Sequence, residues 1–282
     1  MPLLTFQSNS EKIDLNYSIT GSGPHKIVLI AGANSSGVVW QYLIPHLSEF
    51  TILTFDYRGC GYSSCPTQFS LDAFAEDIIQ LVDHLKWDTF NICGLSMGGC
   101  VCLKLIQKYP HRIKSQILLS TALRGSGIVT WKAVGLIILQ NILSLFKYSA
   151  RAYAVAPMLY PYSYLSTKRP DGELMYFHAV RTLRKDIFSI PPPSFACIKG
   201  HIQATKSFEL SEADINTIKC LNIPSIVLSG DKDIVCPTFY TQQLANRLHY
   251  PLHILRNVGH APVSQGDVPK QVAKLITELI SQ

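Results

Sequence analysis

The chain has 282 residues, of which 47% are hydrophobic and 16% charged, and its formal net charge is +6. This composition excludes a disordered chain, and the length suits one α/β domain with an inserted segment. Residues 124–188 contain nine lysine and arginine residues and three acidic residues, so this segment accounts for the whole positive excess. Because these charges are mixed with apolar side chains, we expect no nucleic-acid binding.

The eight cysteines show none of the paired spacings that mark a zinc site, and several lie in apolar segments. We therefore expect core thiols in a reducing compartment, and no metal. Residues 1–20 alternate like a strand hairpin rather than a signal peptide, and the last three residues carry no peroxisomal signal. The predicted location is the cytoplasm.

Apolar runs typical of buried strands alternate with segments of helical spacing along most of the chain. After an N-terminal hairpin the predicted elements are strand 27–31, a helix from about residue 39, strand 51–55, helix 71–86, strand 90–93, a helix to about residue 108, strand 117–120, a strand from residue 226, and strand 252–255. Ser70 is the predicted N-cap of the 71–86 helix. The alternation predicts an α/β fold with a mostly parallel sheet and helices on both faces.

The alternation stops between residues 124 and 210, where proline-rich turns and a long apolar run appear. We predict that 124–210 forms a helical cap inserted into a core made of 1–123 and 211–282. The apolar run is interrupted by polar residues, so a bilayer span is not indicated. The cap either packs against the core or lines an apolar pocket, and in the second case it could also rest weakly on an anionic membrane surface.

A Gly-x-Ser-x-Gly pattern at Gly94, Ser96 and Gly98 joins an apolar strand to a helix. This is the pattern of a nucleophile elbow, a strained turn that needs small residues two positions before and after the serine. Such a turn presents the Ser96 hydroxyl at the end of the sheet, with the Met97 amide directed at a developing oxyanion. Ser96 is the predicted nucleophile.

A serine nucleophile needs a base and an acid that orients the base. His260 follows the strand 252–255 and is the candidate base. Asp233, three residues after Gly230, is the candidate acid, although it could instead cap the next helix. Asp231 is a rival for the same role, and we favour Asp233 because of its spacing from the glycine.

The chain order serine, acid, histidine resembles that of the α/β-hydrolases that carry a helical cap. A second motif supports this resemblance, since residues 55–63 match the family's Asp-x-Arg-Gly-x-Gly-x-Ser turn. The resemblance covers nearly all of the chain outside 124–210, and it is strongest toward enol-lactonases and cofactor-free haloperoxidase-like esterases. It implies an α/β-hydrolase fold, and Asp56 and Arg58 are interpreted as a structural pair.

The oxyanion loop departs from the pattern of the resembled family. A histidine and a glycine usually follow the third strand, whereas here Ala31 replaces the histidine. The resemblance implies that the backbone amides of Ala33 and Met97 form the oxyanion hole, and an amide donor does not depend on the side chain at position 31. Asn34 in this loop and Trp131 in the insertion are expected to contact substrate.

These residues predict a serine hydrolase that cleaves a small carboxylic ester or lactone with an apolar acyl group, without metal or organic cofactor. Two alternatives stay open. One is a hydrolase of carbon–carbon bonds in dienone acids, in which the basic cap would hold a carboxylate. The other is a receptor-like protein that binds a ligand in the same pocket and turns it over slowly, because fold and triad do not set the substrate.

Overall fold

The computed structural model describes residues 2–8, 10–126, 129–144, 146–188 and 190–281. In these ranges eight strands form one sheet in the order β1-β2-β4-β3-β5-β6-β7-β8. The strands are β1 (Leu3–Ser8), β2 (Glu11–Thr20), β3 (His25–Ile30), β4 (Phe50–Phe55), β5 (Phe90–Leu95), β6 (Ile113–Leu119), β7 (Ser225–Gly230) and β8 (Leu252–Leu255). The first two strands pair antiparallel, β2 pairs antiparallel with β4, and all later pairs are parallel. The predicted mostly parallel sheet is confirmed.

Helices follow the strands and cover both faces of the sheet. They are α1 (Leu71–His84), α2 (Met97–Lys108), α3 (Trp131–Ser144), α4 (Ala152–Leu159), α5 (Tyr162–Leu165), α6 (Met175–Thr182), α7 (Phe195–Lys206), α8 (Glu212–Cys220), α9 (Thr238–Leu248) and α10 (Val268–Ile280). The Ser70 hydroxyl accepts a 3.0 Å hydrogen bond from the amide of Ala73, so the predicted cap of α1 is confirmed. None of the helices in the described ranges is long and apolar enough to span a membrane.

Alternation along the buried strands builds an apolar core on each side of the sheet. In β3, Val28 and Ile30 belong to the cluster that packs with α1 and α2. Ile27 and Leu29 belong to the opposite cluster, which includes residues of α10. Successive side chains of a strand point to opposite faces, so one fully apolar strand serves both cores.

The predicted helix from residue 39 is wrong. Residues Gly37–Trp40 form one 3₁₀ turn, and a second short turn follows at Ile44–His46. Valine at positions 38 and 39 disfavours an α-helix because its branched side chain loses rotamer freedom there. Pro45 lacks the amide hydrogen that a continuing helix needs.

The insertion predicted as a cap begins and ends side by side, because Arg124 and Glu209 form an isolated β-bridge. Helices α4 and α6 share a small apolar cluster of their own. In contrast, α7 contributes Cys197 and Ala204 to the main core under the sheet. The insertion therefore packs on the main core through α7 and forms a separate cluster through α4 and α6.

The interpretation of Asp56 and Arg58 as a pair is wrong, because each binds a different partner. Arg58 Nε donates to Asp77 Oδ2 at 2.8 Å, and a second guanidinium nitrogen donates to the other oxygen. Both side chains of this ion pair are almost completely buried. Asp56 instead accepts hydrogen bonds from Asn16 Nδ2 and from the amides of Gly37 and Tyr62.

We expect Asp77→Asn to lower the free energy of unfolding by about 3–5 kcal/mol, because Arg58 would keep a buried charge without a counter-ion. The control is Asp83→Asn, which breaks an ion pair with Arg112 whose carboxylate is 51% exposed. An exposed pair of this kind contributes at most about 1 kcal/mol. Urea unfolding followed by circular dichroism measures both, and equal losses would contradict the assignment.

Candidate active site

Ser96 lies between β5 and α2, at the edge of the sheet where the parallel strands end. Its backbone has φ 56° and ψ −119°, a strained conformation for a residue with a side chain. A Cβ atom on Gly94 would lie 2.3 Å from the carbonyl oxygen of Gly98, and one on Gly98 would lie 2.2 Å from that of Ile30. The turn therefore closes only with glycine at both positions.

We expect Gly98→Ala to destabilise the protein by about 1–3 kcal/mol, because the added methyl group overlaps a backbone oxygen that cannot rotate away. The resulting shift of the nucleophile should also lower kcat by at least about tenfold. The control is Gly135→Ala in α3, where a Cβ meets nothing within 4 Å. That variant should be neutral or stabilise by up to about 1 kcal/mol. Thermal unfolding and ester hydrolysis distinguish the two, and a wild-type profile for Gly98→Ala would contradict the prediction.

The structure brings the candidate acid and base together. His260 Nδ1 lies 2.8 Å from Asp233 Oδ2, and both side chains are buried. The other carboxylate oxygen accepts hydrogen bonds from the amides of Val235 and Cys236, each at 2.8 Å. Asp233 therefore binds two amides of its own loop and the imidazole at the same time. This arrangement leaves Nε2 of His260 as the nitrogen that can face a substrate or nucleophile.

The rival acid Asp231 lies elsewhere. Its carboxylate accepts a 3.4 Å hydrogen bond from the amide of Val258 and lies 3.9 Å from the guanidinium of Arg256. Asp231 therefore supports the loop before the histidine from outside, and among the described residues the carboxylate bonded to the imidazole is that of Asp233.

Ser96 and His260 line one cavity of about 310 Å³ between the core and the insertion. Among the hydrogen bonds of the described residues none joins the Ser96 hydroxyl to His260. Such contacts are often loose without substrate and tighten in the Michaelis complex. Much of the wall is apolar and includes Ile137, Met158 and Phe188 of the insertion. The insertion therefore contributes much of the wall of the cavity that Ser96 lines.

The oxyanion loop lies directly against the nucleophile, since a Cβ on Gly32 would lie 3.5 Å from that of Ser96. Ala33 lines the cavity. Met97 is the first residue of α2, so its amide has no acceptor within the helix. Among the described residues, the backbone hydrogen bonds outside the helices and strands include none that the amide of Ala33 or of Met97 donates. Both amides are thus free to bind a developing oxyanion.

A residue that sequence reasoning missed holds this loop in place. His201 of α7 is completely buried, and its Nδ1 accepts a 3.1 Å hydrogen bond from the amide of Asn34. Asn34 has a positive φ of 58°, so the loop turns sharply at this point. An imidazole thus supports the loop from α7, although Ala31 replaces the usual loop histidine. Nothing in the sequence distinguishes His201 from the other histidines.

The two predicted substrate contacts differ in their placement. Asn34 lines the cavity, and its buried side-chain oxygen has no hydrogen-bond partner. Trp131 does not line the cavity, because it begins α3 with its side chain 90% exposed. Other positions of α3, Ile137 and Gln140, face the cavity instead. Sequence reasoning also missed Arg151 in the cavity wall.

Two tyrosines in the cavity are unsuited to act as bases. Burial raises the pKa of Tyr160 to about 12, and its hydroxyl lies 2.9 Å from that of Ser264. Burial, together with a hydrogen bond to Asp186, also raises the pKa of Tyr42. Both phenols therefore stay protonated at neutral pH.

Three buried side chains of the described residues, Cys60, Cys197 and His201, form a group that could hold a metal ion. The two sulfur atoms are 3.5 Å apart. Nδ1 of His201 accepts the Asn34 amide and Nε2 lies 3.4 Å from the carbonyl oxygen of Arg58, so both ring nitrogens have hydrogen-bond partners. We therefore assign this group to support of the oxyanion loop.

Comparisons with known proteins agree with this geometry. Residues 26–157 match the family model described as the alpha/beta hydrolase fold. A 3-oxoadipate enol-lactonase of Acinetobacter baylyi is 28% identical over 138 residues, 47% of this chain and 52% of that protein, so this match spans about half of the relative. The serine hydrolase BPHL of Mus musculus is 26% identical over 251 residues, 84% of this chain and 75% of the relative. A solved structure of a thermophilic esterase from Thermogutta terrifontis superimposes with a TM-score of 0.77 at 21% identity and covers 100% of this chain and 98% of that one.

The sheet, the elbow and these matches make the chain a protein of the α/β-hydrolase fold, and the resemblance predicted from its motifs is confirmed. Its relatives include proteins named as a lactonase and as a serine hydrolase.

Proposed function

We propose that this protein is a serine hydrolase that cleaves a small carboxylic ester or lactone with an apolar acyl group, through Ser96, His260 and Asp233. One observation carries the proposal: the imidazole held by Asp233 and the elbow serine line the same cavity. The volume of about 310 Å³ is at the small end of the range for ligand sites, about 300–1,000 Å³, and favours a small substrate.

In the proposed reaction, His260 removes the proton from the Ser96 hydroxyl as the oxygen attacks the substrate carbonyl. The Ala33 and Met97 amides stabilise the resulting oxyanion. His260 then gives its proton to the departing alkoxide, which leaves an acyl-enzyme. The imidazole activates water in the same way, and the acid is released from Ser96. Asp233 stays ionised and stabilises the imidazolium in each half-reaction.

Labelling with a fluorophosphonate tests the nucleophile directly, because the probe reacts with an activated serine hydroxyl. We expect labelling of the native protein, with the adduct mapped by mass spectrometry to the peptide that contains Ser96. Heat-unfolded protein is the control and should not react. An unlabelled native protein, or an adduct on another residue, would overturn the proposal. Hydrolysis of a series of acyl esters and of γ-lactones then defines the substrate class.

We also propose weak contact between the cap and an anionic membrane surface. Trp131 and Phe146 of the insertion are 90% and 83% exposed, and the exposed residues Lys132 and Lys147 are their neighbours in the chain. Exposed aromatic side chains beside cations suit an acidic lipid surface. Flotation with phosphatidylserine vesicles at low salt should carry the protein upward, and no flotation would contradict this contact.

All eight cysteines are free thiols, and six of them are buried. We infer from this that the protein works in a reducing compartment, for which the cytoplasm is our proposal. We further propose 124–210 as the cap and 1–123 with 211–282 as the core.

A further inference from the structure

Arg151 places a positive charge in the wall of the catalytic cavity. It ends the 3₁₀ turn Tyr148–Arg151, immediately before α4, and its side chain is 8% exposed. The cavity that it lines also contains Ser96 and His260. A guanidinium removed from water in this way needs strong compensation.

The contacts of Arg151 compensate this charge only in part. One terminal nitrogen donates a 3.2 Å hydrogen bond to Gln140 Oε1. The guanidinium carbon lies 5.2 Å from the ring centre of Tyr148 and 6.0 Å from that of Phe188. Its Nε is buried without a hydrogen-bond partner, and no ion pair of the described residues includes Arg151. The site thus lacks a carboxylate that a guanidinium normally binds.

One carboxylate does line the cavity, that of Asp186, but it serves another group. It accepts a 2.6 Å hydrogen bond from the hydroxyl of Tyr42, and no nitrogen of Arg151 lies within ion-pair distance of it. A second unused donor is present, because Nε2 of Gln41 is also buried in the wall without a partner. Among the described residues no ion pair therefore neutralises Arg151 in the cavity wall.

The surroundings of the cavity also favour an anion. The excess of +6 in residues 124–188 equals the net charge of the whole chain. A groove that shares Asp186 with the cavity is lined by Arg184 and Lys185, and the guanidinium of Arg181 in the same groove is paired with Glu173. A positive field at the mouth of a site raises the local concentration of anionic substrates.

We propose that Arg151 binds a carboxylate of the substrate, so that the preferred substrate is a small ester or lactone whose acyl part carries an acid group. A guanidinium can donate two parallel hydrogen bonds to the two oxygens of a carboxylate. The apolar wall would contact the methylene groups between this acid and the reacting carbonyl. This inference rests on the proposed function, because it concerns the substrate that Ser96 attacks.

Matched esters test the inference. The mono-4-nitrophenyl esters of glutaric and adipic acid carry a free carboxylate, whereas the 4-nitrophenyl esters of pentanoic and hexanoic acid do not. We expect kcat/KM of the wild-type protein to be at least about tenfold higher for the acid-bearing esters, as a hydrogen-bonded charge pair allows. A wild-type protein that prefers the neutral esters or shows no preference would overturn the inference.

Variants of Arg151 test whether this residue causes the preference for acid-bearing esters. Arg151→Gln should lower the ratio of the two kcat/KM values by about 10-fold to 100-fold, mainly through a higher KM for the acid-bearing ester. Arg151→Lys keeps the charge and should retain part of the preference. Lys168→Gln removes an exposed charge of the cap outside both the cavity and the groove and should leave the ratio unchanged. An unchanged ratio in Arg151→Gln would contradict the role of Arg151.

Fluorophosphonate labelling separates this inference from the proposed function. Labelling of Arg151→Gln shows that the variant is folded with an active nucleophile. If Ser96 of the wild-type protein is labelled but acid-bearing esters are not preferred, the inference alone fails. If Ser96 is not labelled, the proposed function fails. If Arg151→Gln does not fold, competitive inhibition of the wild-type protein tests the inference instead. We expect adipate monoamide to bind at least about tenfold more tightly than hexanamide. Equal inhibition would overturn the inference.

Discussion

Ser96→Ala is expected to lower kcat for ester hydrolysis by about 10⁴-fold or more, because the covalent route through the acyl-enzyme is lost with the hydroxyl. The fold should persist, since the substitution removes one oxygen from a cavity wall and keeps the backbone of the elbow. KM should change little, because the cavity wall and the oxyanion amides are unchanged. Steady-state kinetics and fluorophosphonate labelling measure the loss.

Ser120→Ala is the matched control for this variant. Ser120 directly follows the neighbouring strand β6, also with a positive φ of 49°, and its buried hydroxyl has no hydrogen-bond partner. Its removal should leave kcat and labelling within about twofold of wild type, since a hydroxyl without a partner gains nothing from burial. Full activity in Ser96→Ala would contradict the proposed mechanism.

Asp233→Asn is expected to lower kcat by about 10⁴-fold while the overall geometry is kept. The carboxamide nitrogen cannot accept the Nδ1 proton of His260, and the neutral side chain does not stabilise the imidazolium. The imidazole would then favour the tautomer that cannot take the proton of Ser96. The amides of Val235 and Cys236 can still bind the carboxamide oxygen, so the loop should stay folded.

Asp231→Asn separates this effect from a general loss of loop charge. It changes the same residue type two positions earlier, where the carboxylate supports Val258 and does not contact the histidine. We expect at most about a tenfold effect on kcat, consistent with a small shift of the loop. Kinetics on the same ester compare the two variants. A larger loss in Asp231→Asn than in Asp233→Asn would reverse the assignment of the acid.

The oxyanion loop has alanine at position 31, where the resembled family usually has histidine, and a residue of another helix supports the loop. Ala31 brings no imidazole to the loop, but the amide of Asn34 is held by His201 from α7. Cys197, on the same helix, lies 3.5 Å from Cys60 in the loop after β4. The last helix of the insertion thus packs as part of the core and fixes the direction of the loop.

The local sequence was enough to predict the elbow, because the turn at Ser96 requires glycine at positions 94 and 98. It also indicated Asp233 and His260, since each follows a strand of the parallel part of the sheet, and such strands all end at one edge. The rival Asp231 could be set aside only once the direction of each carboxylate was known.

By itself, the sequence determined most of the alternation of strands and helices outside 124–210, the mostly parallel sheet, and the placement of Ser96, Asp233 and His260 after its strands, because these depend on periodicity and on short motifs. Only the tertiary structure decided that Arg58 pairs with Asp77, that His201 supports the loop, and that Arg151 rather than Trp131 faces the cavity. Each of these facts depends on which side chains meet across distant segments. They result from the packing of helices on the sheet, which the spacing of residues within one segment does not predict.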